Sequence, residues 1–292
     1  MLASANVDRY RRDGVLLVRN VVRGEELRLL QDAADRLQDA AVAYGEELDA
    51  VRSLELRDDH GFTEWADLDA HNFLYGRGKK GERIWRRAEK MWDRDAIYRV
   101  VTANPEILDT VQQILGGPVV PANSAMVVKM PGGGAAVPWH RDPNSASDGL
   151  ARDGSDDFVC DVYLDRSTVH NGCLWAIPGS HRGPETDVAP LDFSRTDAVA
   201  LEVEPGDMLL HSTAALHGSP ANTSSERRRT LYLHYRTPAA LAAAGHPGPW
   251  VDERAALLAG MRTERSGSGL DSDDGGASTD GSGAGVRAAG AR

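Results

Sequence analysis

The chain has 292 residues, 41% of them hydrophobic and 26% charged, which is the composition of a globular protein with a sizeable core. Its net charge of −11 provides no positive field to attract nucleic acid or an anionic membrane surface, so neither is expected as a partner. Two cysteines are too few for a disulfide framework, and the sequence has no signal peptide and no membrane-spanning apolar run, so we expect a cytoplasmic protein.

The amino-terminal part of the chain is predicted to contain one strand and several helices. A valine-rich run over residues 14–22 predicts the strand, and apolar residues at three- and four-residue steps predict a long helix over 25–48. A further helix over 95–115 is predicted in two pieces, broken near Pro105 because proline is tolerated only in a first helical turn. Residues 52–90 have no clear period, and we interpret them as irregular structure with short helices.

From residue 118 onward the chain changes to short β-rich runs separated by glycine and proline. This rhythm predicts a mainly β fold with flanking helices, an antiparallel sandwich or jelly roll. A last helix is predicted over 251–262, and residues 266–292 are rich in Gly, Ser and Asp and have too little apolar surface to be ordered. We therefore predict a single domain over residues 1–265, with its β core at about 118–237 and a disordered tail over 266–292.

A small group of residues has the chemistry and spacing of a metal site. His140 and Asp142 are two apart in VPWHRDP, so on a strand both side chains leave the same face. A turn at 205–207 starts another strand, and His211 and His217 follow it as two candidates for a second imidazole. Two imidazoles and one carboxylate form the facial triad of non-haem Fe(II) enzymes, although a lone H-x-D pair also occurs often in ordinary surface turns.

The order and spacing of several motifs are similar to those of a known family. The segments VVKMPGG, WHRD, NGCLWAIPGSHRG, and PGD followed by HGSPANTSSERRR resemble the phytanoyl-CoA dioxygenase family of Fe(II)- and 2-oxoglutarate-dependent oxygenases. The resemblance implies a double-stranded β-helix, which is a cupin-like jelly roll. It also implies that His140, Asp142 and His217 are the catalytic iron ligands, because the family histidine lies in HGS, and that 2-oxoglutarate and O2 are cosubstrates.

The resemblance further implies a binding site for 2-oxoglutarate. Family members bind its distal carboxylate with an arginine about eleven residues after the second histidine, which is Arg228 here, and Ser219 fits the neighbouring hydroxyl. Arg228 lies between two other arginines, and on a strand it would face opposite to both. Lys129 matches a family lysine that could hold the chelating end, or it is a solvent-facing lysine. Trp175 is expected to line this pocket or to pack in the core.

Four residues are predicted to lie near the substrate. Arg77 and Lys79 belong to a basic stretch, YGRGKKG, which we interpret as a mobile loop able to meet an anionic group, or simply as a solvated loop. The stretch has the letters of a dinucleotide fingerprint, G-x-G-x-x-G, but it lacks the preceding strand and βαβ unit that such a site requires. Trp139 and His211 are the other two, and His211 is alternatively a support for the metal ligands.

The function that these features predict is hydroxylation of an unactivated C–H bond. The resemblance implies a small-molecule substrate, such as a secondary metabolite or an amino-acid-like compound, with release of succinate and CO2. Asp142 makes halogenation unfavourable, since related halogenases replace this carboxylate with a small residue. Two alternatives are a cupin-type metal oxygenase or isomerase that does not use 2-oxoglutarate, and a catalytically inert β-helix that only binds a ligand.

Overall fold

The structure is a computed structural model, and it describes residues 4–51, 64–66, 72–78, 80–142, 158–183 and 191–270. Two of the sequence predictions fall elsewhere. Lys79 and residues 271–292 of the predicted tail lie outside the described residues.

The described helices lie before and after the β-rich part of the chain. They are α1 Ser4–Asp13, α2 Gly24–Val51, α3 Ala96–Thr102, α4 Pro105–Leu115, α5 Pro238–Ala243 and α6 Gly248–Ser268. The break between α3 and α4 is the predicted one, because Asn104 caps α4 by accepting from the backbone N–H of Glu106 at 2.9 Å and Pro105 takes the first helical position. Helix α6 ends beyond the predicted boundary at residue 265, so the first residues assigned to the tail are helical.

The strands form two antiparallel sheets. They are β1 Val15–Val18, β2 Glu64–Ala66, β3 Phe73–Arg77, β4 Arg83–Glu89, β5 Val120–Lys129, β6 Val137–His140, β7 Phe158–Tyr163, β8 Leu174–Ala176, β9 Val199–Leu201, β10 Met208–Ser212, β11 His217–Ser219 and β12 Arg228–Arg236. The major sheet has the order β1-β10-β7-β12-β5-β4-β3-β2, and the minor sheet has the order β6-β11-β8-β9. No helix among the described residues is long and apolar enough to cross a membrane.

The major sheet has an apolar layer on each face. One face packs against the helices through a large buried cluster that includes Met126, Val162, Leu231 and Leu233. The other face, which we call the inner face, meets the minor sheet through a smaller cluster of Val15, Tyr163, Leu174, Ala176, Leu201, Val203 and Leu209. A sheet covered by helices on one face and by a second sheet on the other is the architecture predicted from the sequence.

The prediction of irregular structure over residues 52–90 is wrong where this segment is described, because β3 and β4 form a hairpin there. The glycines of the basic stretch make the turn, in which the N–H of Gly78 donates to the carbonyl of Glu82 at 2.8 Å. A β-bulge explains why the strand period was not visible. Trp85 pairs with Tyr75 while Arg87 pairs with Leu74, so Arg86 is an extra residue that interrupts the alternation.

Strand β12 shows how the major sheet divides its side chains. Leu231, Leu233 and Tyr235 belong to the helix-facing cluster. The residues between them therefore point to the inner face, since successive side chains of a strand point to opposite faces. This inner-face row consists of Arg228, Thr230, Tyr232 and His234, and all four are polar. The centre of the major sheet thus presents a polar row towards the minor sheet.

Candidate metal centre

Three ligand-bearing side chains meet where the minor sheet faces the major sheet. His140 ends β6, Asp142 follows two residues later, and His217 begins β11, which pairs with β6 so that the two histidines are directly opposite. One possible ligand atom from each of the three residues lies within 4.8 Å of the other two. The backbone N–H of Asp142 donates to the carbonyl of Thr213 at 2.9 Å, which holds the chain in place just after β6.

The two imidazoles are oriented by the backbone. Nδ1 of His140 lies 2.8 Å from the carbonyl of Pro138, and Nδ1 of His217 lies 2.9 Å from the carbonyl of Ala215. A carbonyl can only accept, so each Nδ1 donates to the backbone and each Nε2 is the ring nitrogen that faces the cluster. The Nε2 atoms of His140 and His217 lie 3.6 and 3.9 Å from Oδ1 of Asp142, so the three donors converge.

The charge states of this cluster suit a cation. Burial, together with the neighbouring His140, lowers the pKa of His217 to about 3, so its ring is neutral at physiological pH. Burial opposes ionisation of Asp142, but His217 and the hydrogen bond with His140 outweigh it and hold the pKa of Asp142 well below its usual value. The group therefore offers a neutral imidazole and an ionised carboxylate, which are the forms that bind metals.

His211 lies beside the three residues but is oriented differently. Its Nδ1 lies 3.0 Å from Oδ2 of the fully buried Asp161, and its Nε2 approaches Oδ2 of Asp142 at 3.9 Å, whereas His140 and His217 approach Oδ1. Burial alone would lower the pKa of His211, but Asp161 raises it overall. Burial also raises the pKa of Asp161, against the opposing effect of His211, so the two groups share one hydrogen bond in a buried pair. This geometry matches the supporting role considered for His211. The sequence analysis missed Asp161, although a carboxylate in the apolar run FVCDVYL is itself a signal.

The three consecutive arginines 227, 228 and 229 separate as strand alternation requires. Arg227 and Arg229 both bind Asp35 of α2, and Arg229 also binds Asp165 at 2.9 Å. Arg228 points to the inner face, is 2% exposed, donates to the carbonyl of Gly172, and has an Nε with no hydrogen-bond partner among the described residues. A buried guanidinium with an unsatisfied N–H is suited to bind a carboxylate.

Ser219 and Lys129 lie near Arg228 in different ways. Ser219 is buried two residues after His217 in β11. Lys129 is directly opposite Arg228 in the strand pairing, but its amine donates to three backbone carbonyls, those of Ala135, Ser219 and Pro220. An ammonium has three N–H donors, so all three are already used. The structure therefore gives Lys129 the position predicted for it but no free donor for 2-oxoglutarate, and it does not bear out the solvent-facing alternative.

The two tryptophans predicted at the site lie on the far side of the minor sheet. Ala176 is opposite His217 in the pairing of β8 with β11, so Trp175, the preceding residue, points the other way. Trp139 likewise precedes His140. Phe193 stacks on Trp139 at 5.1 Å between ring centroids and lies 6.2 Å from Trp175. The structure thus places both tryptophans away from the three ligands, and Trp175 has the packing position considered as its alternative. The face that a residue occupies depends on register, which the motif alone does not give.

The predicted basic loop is not brought to the three ligands. Arg77 is exposed at the end of β3 and is paired with Arg83, whose guanidinium binds Asp49 of α2 on the helix side of the sheet. Three polar residues of β12 face the minor sheet, and the sequence analysis did not propose them for the site: Thr230, Tyr232 and His234. The ring of Tyr232 lies 6.5 Å from that of His211. A strand that alternates polar with apolar side chains while buried on both faces is the signal that would have identified them.

Comparison with known proteins gives one family. A sequence model of the phytanoyl-CoA dioxygenase (PhyH) family matches residues 10–230, which is most of the chain. A curated relative, a probable alpha-ketoglutarate-dependent hypophosphite dioxygenase of Stutzerimonas stutzeri, is 30% identical over 190 residues, which make up 58% of this chain and 62% of that protein. The chain thus spans less than two thirds of the length of this relative.

Solved structures confirm the predicted fold. AviO1 from Streptomyces viridochromogenes Tue57 has a TM-score of 0.59 and 28% identity, covering 81% of this chain and 95% of that one. EctD from S. alaskensis, solved with 2-oxoglutarate and 5-hydroxyectoine, has a TM-score of 0.62 and 23% identity, covering 82% and 77%. The two-sheet core is therefore the double-stranded β-helix expected from the sequence.

Proposed function

The chain belongs to the phytanoyl-CoA dioxygenase family, and on that premise we propose that it is an Fe(II)- and 2-oxoglutarate-dependent dioxygenase. It hydroxylates an unactivated C–H bond of a small molecule and releases succinate and CO2. The observation that carries this proposal is the convergence of His140, Asp142 and His217 within 4.8 Å, beside a buried arginine whose Nε has no hydrogen-bond partner among the described residues.

The donor set fits Fe(II). Two imidazoles and one carboxylate on one side of a metal leave positions open on the other side, as in the facial triad of non-haem iron oxygenases. His140 and His217 would bind through Nε2, since each Nδ1 is engaged by a backbone carbonyl. Asp142 would bind through Oδ1, while Nε2 of His211 lies 3.9 Å from its other oxygen. Iron, when bound, supplies the activation of O2.

Side chains of this protein would hold the second cosubstrate, 2-oxoglutarate. Arg228 would bind the distal carboxylate of 2-oxoglutarate through its unsatisfied N–H groups, because a planar guanidinium matches a carboxylate with two parallel hydrogen bonds. Ser219 and Thr230 would add hydroxyl donors, and Oγ1 of Thr230 is buried with no partner among the described residues. The apolar cluster between the two sheets, which includes Leu174 and Leu209, would exclude water from the reacting groups.

The names of similar proteins agree with a small-molecule substrate. The relative from Stutzerimonas stutzeri is named for hypophosphite, and EctD was solved with 5-hydroxyectoine. The substrate of this chain is accordingly a small molecule, of secondary-metabolite or amino-acid type. The carboxylate of Asp142 would fill the position that halide takes in halogenases, which favours hydroxylation over halogenation.

We also propose a domain organisation, a cellular location and a range of partners for the protein. The chain forms one domain that ends with α6, acts in the cytoplasm, and has neither nucleic acid nor a membrane as partner. The net charge of −11 and two buried free cysteines, Cys160 and Cys173, support this.

The test needs no substrate. Protein purified without O2 is titrated with Fe(II) and 2-oxoglutarate, and the weak metal-to-ligand charge-transfer band is recorded in the visible. We expect a band in the wild type, no band in His217→Ala because a metal ligand is lost, and a band that requires more 2-oxoglutarate in Arg228→Ala. Arg227→Ala is the matched control, since the same residue type one position away points to α2.

Each failure points to a different alternative. Iron binding without a band would refute the use of 2-oxoglutarate and favour the cupin-type enzyme. Absence of iron binding would refute the oxygenase itself and leave the inert binding module.

A further inference from the structure

The β-bulge in β4 brings two adjacent arginines to the inner face beside the metal centre. Arg87 pairs with Val127, which pairs with Thr230 of the inner-face row. Arg86 is the extra residue of the bulge, and the buried Trp85 and Ala88 on either side of the arginine pair both pack towards the helices. The two arginines between Trp85 and Ala88 therefore lie on the inner face. Burial, and after it Arg228 and Arg86, lower the pKa of the Lys129 amine, which agrees with this placement of Arg86.

Arg86 is a partly buried cation with no counter-ion among the described residues. Its Nη1 is shielded from solvent and has no hydrogen-bond partner among the described residues. Burial lowers the pKa of Arg86, and no carboxylate offsets that effect. Buried charges in proteins are almost always paired, because an unpaired one loses its hydration without compensation. An anion supplied from outside the chain would provide the missing partner.

Arg87 is oriented but only partly satisfied. Its Nε lies 2.5 Å from Oε1 of Glu89, two residues along the same strand, and its side chain is 29% exposed. No described residue accepts from its two terminal nitrogens. Glu89 thus fixes the plane of the guanidinium and leaves its outer edge free, which is the edge that grips a carboxylate or phosphonate with two hydrogen bonds. The carbon at the centre of this guanidinium lies 6.0 Å from the ring centroid of Tyr232.

The space between these arginines and the metal ligands is lined by polar groups that no protein group satisfies. Neither the hydroxyl of Tyr232 nor the ring of His234 has a hydrogen-bond partner in the described part of the chain. Burial, and next Arg87, lowers the pKa of His234 to about 4, so its ring is neutral and adds no competing positive charge. Strand β4 is separated from β12 by β5 alone, which is roughly 10 Å at two strand spacings. A small molecule spans that distance.

We propose that Arg86 and Arg87 form a binding site for an anionic group of the substrate, a carboxylate or a phosphonate. The inference rests on the proposed function, since it concerns the compound oxidised at the metal centre. Arg228 binds the cosubstrate at one end of the inner face, and the arginine pair of β4 holds the substrate by its charged end. The substrate's C–H bond then lies between the pair and the metal ligands. Glu89 acts as a positioning residue through Arg87.

The experiment uses minimal anions, because the site is defined by charge. Protein loaded anaerobically with Fe(II) and saturating 2-oxoglutarate is titrated at constant ionic strength with butanoate, propylphosphonate and the neutral butanamide. Binding is followed by calorimetry and by changes in the charge-transfer band. We expect millimolar binding of butanoate or propylphosphonate, and none of butanamide. Whichever anion binds more tightly identifies the charged group.

Variants then assign the binding to the arginine pair. Arg86→Gln and Arg87→Gln should each weaken anion binding at least tenfold, while the band with 2-oxoglutarate stays as in the wild type. Glu89→Gln should weaken it less, because it removes only the orientation of Arg87. The control is Arg166→Gln, an exposed arginine that pairs with Glu204. It should bind as the wild type does.

Three results would overturn the inference. The first is that neither anion binds to the loaded wild type, and the second is that both arginine variants bind as the wild type does. The third is that Arg86→Gln raises the 2-oxoglutarate requirement as much as Arg228→Ala does, which would assign Arg86 to the cosubstrate. In each case a normal band in the wild type leaves the proposed function standing, and a missing band would refute that function separately.

Discussion

Each face of β12 buries an arginine, but the two arginines differ in the partners that the protein gives them. On the helix-facing side, Arg229 is 1% exposed and is paired with Asp165 and Asp35. On the inner face, Arg228 is 2% exposed, but its Nε has no partner, and neither has Oγ1 of Thr230. Burial alone therefore does not separate structural from functional polar groups. The two arginines differ in whether the protein itself supplies the partner, and a buried charged group that the protein leaves unsatisfied is suited to bind a ligand.

The largest effects are expected when each of these two adjacent arginines is replaced by alanine. Arg229→Ala leaves the partly buried Asp165 with only Arg227, at 3.9 Å, so we expect a loss of about 3 kcal/mol in the free energy of unfolding. Arg228→Ala should change the free energy of unfolding little and raise the KM for 2-oxoglutarate by roughly 10- to 100-fold, the worth of charge-assisted hydrogen bonds. Denaturant titration and steady-state kinetics measure the two quantities. Equal destabilisation by both variants would show that Arg228 is structural.

A second test concerns the buried pair at the metal centre. His211→Asn removes the group that holds Oδ2 of Asp142, and it should lower the affinity for Fe(II) by about 10- to 100-fold, as is typical for residues that orient ligands. Asp161→Asn should have a smaller effect in the same direction, since it acts through His211. Metal titration monitored by the charge-transfer band gives both affinities. If His211→Asn lost all iron binding, as expected for His217→Ala, His211 would have to be counted as a ligand.

The pH dependence of the free energy of unfolding tests the contribution of His234, which lies on the inner face. Its pKa in the folded protein, about 4, lies below the ordinary value of 6.5, so the unfolded chain takes up the proton first as the pH falls. The stability that this neutral ring provides is complete above about pH 6.5 and is lost as the pH drops towards 4. Between pH 7.5 and 5, the free energy of unfolding should therefore fall by about 1–2 kcal/mol less in His234→Gln than in the wild type. Parallel losses in the two proteins, measured by denaturant titration, would rule out this contribution.

The smallest effect is expected from the arginine at the bulge. Arg86 has no counter-ion among the described residues, so Arg86→Gln removes a cost of burial rather than a favourable contact, and we expect the Tm to stay unchanged or to rise by about 2–4 °C. Thermal unfolding without added anions measures this. Arg83→Gln is the contrasting variant, because Arg83 is buried and bound to Asp49, and its Tm should fall. A lower Tm for Arg86→Gln would mean that Arg86 stabilises the fold through a partner.

Local patterns in the sequence were enough for the family and for the main features of the fold. Asn104 and Pro105 specify a helix start from their own chemistry, and the change of rhythm near residue 118 predicted the β core. The spacing of His140 and Asp142 indicated a shared face, and strand alternation indicated that Arg228 faces away from its neighbours. These inferences need only the geometry of one strand or one helix, whereas the choice of His217 over His211 came from the resemblance to the family.

Only the tertiary structure decided which neighbours complete each group. Lys129 uses its donors on three carbonyls that come from other parts of the chain, and Trp175 lies against Phe193 because of the register of β8. The bulge that exposes Arg86 and Arg87 to the inner face, and the approach of His211 to Asp142, likewise depend on pairing between distant segments. The physical reason is that satisfaction of a buried polar group is a property of all the atoms around it, and a sequence pattern records only those that are close along the chain.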